Sequence, residues 1–178
     1  MAIIIPKNEG GNFHQIEAGS YAARCYSMVH IGTIDVEYNG EKKKQNKIRL
    51  TWEIPSEKHV YNQEKGEQPS VISKDYTLSL HEKSSLRKDL ESWRGKAFTD
   101  AEVEAFDISK LLGAPCMLSI IHREAAGKTY ANVQAISKLP KGMTCEPQIN
   151  PTFEFTYSDD KKVIMEKIID GKTVSMFT

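Results

Sequence analysis

The sequence predicts a mostly β fold: a five-stranded Greek-key barrel in the order β-β-β-α-β-β, followed by a C-terminal strand and helix as an appendage. Three observations lead there. Alternating apolar residues mark three strand-like runs before residue 81, the apolar period then lengthens to that of a helix, and two more alternating runs follow residue 114. A period of two places one face of each segment on a core, and a period of 3.6 places one stripe of a helix on it.

The first run extends from Ser20 to Tyr38. Ala23, Cys25, Ser27, Val29 and Ile31 share one side, and Arg24, Tyr26, Met28 and His30 the other. Gly32 interrupts it, as expected of a bend or bulge in one long strand. Asn39-Gly40 then forms the strongest hairpin signal in the chain, because both residues accept the positive φ of a type I′ turn. The returning strand covers Lys43 to Ile54, with Ile48, Leu50, Trp52 and Ile54 facing the core and Lys47, Arg49, Thr51 and Glu53 facing water. The polar stretch Ser56–Pro69 reads as a long loop, and Val71–Leu80 as the third strand.

Ser84 caps a helix in which Leu86, Leu90 and Trp93 recur at i, i+4 and i+7, with Gly95 as its terminator. Thr99 and Glu102 have the spacing of a capping box, and Asp107 can cap a final turn before Leu112-Gly113. Strands resume at Pro115–His122 and, after Ala126-Gly127, at Lys128–Ser137. Beyond Gly142, Phe153–Tyr157 alternates as a short strand, and Val163, Ile164 and Ile168 fit a small amphipathic helix over Lys161–Ile169, stopped by Gly171. The expected organisation is an N-terminal extension over 1–19, a barrel domain over 20–142 and a dependent appendage over 143–178.

Composition excludes several function classes. The 24 basic and 24 acidic side chains balance, so bulk charge nominates no partner. No apolar run approaches the roughly 20 residues that span a bilayer, so an intracellular protein without membrane contact is expected. Cys25, Cys116 and Cys145 and the five histidines form no paired ligand spacing, so neither a metal nor another cofactor is expected. No phosphate loop, nucleophile elbow or HExxH motif occurs. The carboxylates from Asp75 to Asp107 suffice in number for a metal-dependent nuclease but form no compact motif, so no enzyme is expected.

Binding chemistry is concentrated in cations and tyrosines. Lys42, Lys43, Lys44, Lys47 and Arg49 surround the hairpin tip without an intervening acid, where they can meet phosphates or simply solubilise an exposed turn. Tyr26, beside Arg24, lies opposite the presumed core face and suits base stacking; Tyr61 can close over a strand from the polar loop. Tyr76 and Tyr130 fit core or platform equally well. Arg94, beside Trp93, can reach a phosphate or hold its helix terminus.

The stretch Val71–Thr99 (VISKDYTLSLHEKSSLRKDLESWRGKAFT), together with Ala23-Arg-Cys-Tyr26, Leu50-Thr-Trp-Glu53, Phe106-Asp-Ile108, Leu112-Gly113 and Gly127–Asn132, resembles small phage and prophage proteins associated with DNA replication or recombination. Some of these are regarded as single-strand-binding proteins. The resemblance spans about residues 19–142 and implies an oligonucleotide-binding barrel, with Arg24, Tyr26, Lys74, Tyr76, Arg94 and Tyr130 as DNA contacts. Single-stranded DNA is then the expected partner, with phage replication or recombination proteins recruited through 143–178 and a homo-oligomer extending the groove. The rival expectation is a non-catalytic structural or protein-docking barrel in a phage-related assembly, since a fold does not dictate its surface.

Overall fold

A computed structural model describes residues 14–156, 166–169 and 172–175. Strands β1 (Gly19–Tyr38), β2 (Glu41–Asn62) and β3 (Gly66–Thr77) form an antiparallel meander, and α1 (Ser85–Arg94), α2 (Asp100–Ala105) and a 3-10 turn (Ile108–Leu111) follow. Then come β4 (Pro115–Ala125), β5 (Lys128–Ser137) and three short strands, β6 (Phe153–Thr156), β7 (Glu166–Ile169) and β8 (Lys172–Ser175).

The expected closed barrel does not form. The eight-stranded sheet runs β3-β2-β1-β6-β7-β8, with β4 paired to β1 and β5 paired only to β4. Among the described residues no ladder joins β3 to β5, so the sheet stays open between them. Two features account for this. One side of β1 is divided: Gly19–Arg24 pairs with β4, while Ser27–Val29 takes β6 in parallel, so the sheet continues outward through β7 and β8. Helix α1 meanwhile sits astride the seam, bonded to β3 through Asp89, which accepts from Lys74 and Tyr76, and to the end of β5 through the Lys138 N–H on the Ser92 carbonyl.

Local chemistry explains most element ends. Asn39 and Gly40 turn β1 into β2 with φ of 52° and 79°. The Ser84 side chain accepts from the Arg87 N–H, Thr99 and Glu102 form a complete capping box, and Asp107 caps the 3-10 turn. The stretch expected to be a loop is largely strand: β2 continues to Asn62 and β3 begins at Gly66, leaving a three-residue turn. Residues 166–169 are strand where a helix was expected, and the rest of that expected helix, residues 161–165, lies outside the described residues.

The inward face of β1 changes parity partway along. Cys25 pairs with Trp52, but Ser27 pairs with Thr51, so Tyr26 is an extra, bulged residue. Beyond it Met28 points inward beside Leu50, and Val29 and Ile31 do not belong to the buried core, contrary to simple alternation. The core joins Leu50, Trp52 and Ile54 to Leu118, Ile120 and Ile136 across the sheet and to Leu86, Leu90 and Trp93 of α1. All three cysteines are buried free thiols. Burial pushes the Cys25 thiol up to about 12 and raises Cys116 and Cys145 as well. A thiol-specific reagent near neutral pH is therefore expected to label the native protein slowly and to label all three sites on unfolding, as mass spectrometry would read.

Candidate functional site

The residues named from sequence do not converge on one surface. Arg24 is held internally: Nε donates to the Glu146 carbonyl at 2.7 Å, Nη1 to Gly113 at 2.9 Å and Nη2 to Cys145 at 3.0 Å. Its cross-strand neighbour Glu53, expected to face water, is fully buried and accepts from the Ile149 N–H at 2.6 Å and from the N–H and side-chain amide of Asn150 at 2.9 and 2.7 Å. Together they clamp residues 145–150 across the outer face of β1 and β2.

The cations of the β1–β2 hairpin are met by acids that alternation along one strand does not reveal. Glu37 lies opposite Lys42 and Asp35 opposite Lys44, while Lys43 pairs with Glu41. Lys47 donates to the Thr77 hydroxyl, and Arg49 makes a two-pronged contact with Asp75, whose carboxyl it holds below its ordinary range. Counting outward from Asn39-Gly40 would have exposed the cross-strand acids.

Tyr76 is 1% exposed and donates to Asp89 at 2.7 Å, with Lys74 on the same oxygen, so its ring is enclosed against α1 and burial raises its hydroxyl pKa. Arg94 bonds Glu102 at 2.7 Å and lies 4.5 Å over the Phe98 ring. Tyr26, Tyr61 and Tyr130 do come together, lining a groove of about 680 Å³ between the β2–β3 hairpin and β5. The expected single-stranded DNA partnership rested on a closed barrel carrying a cationic, aromatic track. With the sheet open and these arginines engaged in backbone or carboxylate contacts, that basis is absent.

The larger cavity is one the sequence did not nominate. It encloses about 760 Å³ between α1, α2, the 3-10 turn and the end of β5. Buried Leu90 and Trp93 form its floor, and Ala101, Ala105, Phe106, Leu111, Ala114, Pro115 and Leu139 supply the rest of its apolar lining. The Trp93 indole is fixed by donating to the Pro115 carbonyl at 2.9 Å, and Phe106 is fixed edge-on to Phe98, ring centres 5.0 Å apart. Four charged side chains complete the lining: Arg94, Lys110, Lys138 and Glu102. Glu102 is neutralised by Arg94 and Lys96, while Lys110 and Lys138 have no ion pair among the described residues. The opening is thus apolar inside and net cationic at its edge.

Glu102 also makes the site sensitive to acid. Bonds from Arg94, the Thr99 N–H and Lys96 hold its carboxyl at about 2, against 4.5 for an ordinary glutamate. Because the folded value is depressed, its contribution is complete above about pH 4.5 and is lost as pH falls toward 2. Glu102→Gln is expected to flatten the fall in thermal midpoint across that window, measured by circular dichroism against the parent.

No group of three or more His, Cys, Asp or Glu side chains among the described residues is placed to hold a metal ion, and no helix among them is long and apolar enough to cross a membrane. Comparison with known proteins adds no family: no protein-family model matches the chain, and no curated protein matches it significantly.

Proposed function

We propose that the protein is a non-catalytic docking module whose helical-side cavity receives an apolar anchor from an acidic segment of a partner protein. The observation that carries this reading is the 760 Å³ cavity, apolar within and edged by three cations against one already paired carboxylate. Volumes of this size, lined by aliphatic and aromatic side chains with a few polar groups at the mouth, suit one or two buried side chains. The edge charge selects what accompanies them. A segment with carboxylates beside its apolar anchor gains at Lys110 and Lys138, and a basic segment is repelled.

Trp93 supplies the readout, since it forms part of the cavity floor and the chain has 2 tryptophans. The Trp52 indole N–H has no hydrogen-bond partner among the described residues, so Trp52→Phe removes the other fluorophore without breaking a hydrogen bond. In that variant, a terminally blocked peptide with Leu and Phe set between aspartates is expected to shift Trp93 emission saturably. Its twin with lysines in place of the aspartates is expected to do so at least ~10-fold more weakly, a difference of about 1.4 kcal/mol. Equal responses to both peptides, or none to either, would remove the reading.

A further inference from the structure

We propose that the groove between the β2–β3 hairpin and β5 is a second docking site, for a proline-rich, extended segment of a partner. Tyr26, Tyr61 and Tyr130 reach it from three different strands, and Val71, 45% exposed, adds a further apolar surface. Tyr61 and Tyr130 are 49% and 48% exposed, far more than aromatic side chains that serve a core. Tyr61 is held in place by its hydroxyl contact with Ser70 at 3.0 Å and by the edge-on ring of His59 at 6.2 Å, so its ring is presented without ordering cost. The hydroxyls of Tyr26 and Tyr130 have no partner among the described residues.

The chemistry of the groove narrows the occupant. Its lining includes one cation, Lys128, and no carboxylate, so it offers neither a track for a polyanion nor a counter-charge for a basic peptide. Flat aromatic faces with free hydroxyl donors match a ligand that is neutral, presents apolar rings and carries unbonded carbonyls. A polyproline II segment has these properties: its carbonyls point outward, its prolines have no N–H to desolvate, and its preformed shape loses little entropy on binding. The β2–β3 hairpin that carries Tyr61 is well formed to Gly66, so the groove wall is strand rather than loop.

The test uses the full chain and a fluorescently labelled, terminally blocked oligoproline of about nine residues, roughly three polyproline II turns. A Gly-Ser peptide and an oligothymidine of similar length serve as comparisons. Saturable binding of the oligoproline above the Gly-Ser peptide is expected, weakened at least ~10-fold by Tyr130→Ala and by Tyr61→Ala. Tyr130→Phe, which keeps the ring and removes the donor, is expected to give a smaller loss. Both tyrosines are largely exposed, so unchanged thermal midpoints would show that the variants fold. Equal binding of oligoproline and Gly-Ser peptide, indifference to both tyrosines, or tighter binding of the oligothymidine through them would overturn the proposal. Because the helical-side cavity shares none of these residues, its acidic-peptide response is read separately in the same variants.

Discussion

Replacing Glu53 with alanine is expected to lower the stability of the native state by about 3 kcal/mol, or roughly 10 °C in thermal midpoint for a chain of this size. The magnitude follows from what the substitution strands. Three donors, the Ile149 and Asn150 N–H groups and the Asn150 amide, converge on one buried carboxylate. Removing the acceptor leaves them without a partner in a part-buried position and opens a gap between β2 and the strap on the outer face of the sheet. Glu53→Gln keeps one carbonyl acceptor but turns an NH2 group toward donors, so its loss should be smaller yet clear. Arg24→Ala acts on the same strap through the carbonyls of Cys145 and Glu146. The double variant is therefore expected to lose less than the two single losses combined, since a strap freed at one point has less left to lose at the other. Full additivity in chemical denaturation would mean that the two residues hold independent pieces of structure.

The second large effect concerns binding. Reversing Lys110 and Lys138 to glutamate exchanges two attractions at the cavity mouth for two repulsions, each on the order of 0.5–1 kcal/mol at an exposed position. Affinity for an acidic, apolar-anchored peptide should fall at least ~10-fold, and the preference over the lysine-bearing twin should reverse. Both lysines are exposed and without ion pairs among the described residues, so thermal stability is expected to change little. Fluorescence titration at low and high salt checks the origin of the effect, because the difference between parent and variant should shrink as salt screens the edge charges.

Sequence and structure agree where a feature depends on near neighbours. Ser84, Thr99 with Glu102, and Asp107 each cap through bonds spanning two or three residues, and Asn39-Gly40 turns through its own backbone angles. Agreement fails where distant segments decide. Glu53 fits the wet face of an alternating strand, and only a strap nearly a hundred residues later encloses it. The bulge at Tyr26 shifts β1 by one residue, which moved Val29 and Met28 to faces opposite from those alternation assigned. Ile168, whose spacing from Val163 and Ile164 fits a helix, lies in β7, because a segment this short does not separate a period of two from one of 3.6.

The site divides in the same way. Tyr26 and Tyr61 were legible as candidate platforms and Tyr130 only as core or platform, and the convergence of the three on one groove was not legible. The helical-side cavity was invisible because its walls come from α1, α2, the 3-10 turn and the residues after β5, each of which reads alone as an ordinary amphipathic piece. Arg94 and Lys138, 44 positions apart, become neighbours of one opening only because α1 bridges the seam between β3 and β5.

The most direct test of the docking reading is an amide NMR titration of the full chain with the aspartate-flanked Leu-Phe peptide. Saturable shifts confined to Leu90, Trp93, Ala105, Leu111 and Leu139, abolished by charge reversal of Lys110 and Lys138, are the predicted result. Absence of shifts there, or shifts equally produced by the lysine-bearing peptide, would contradict it.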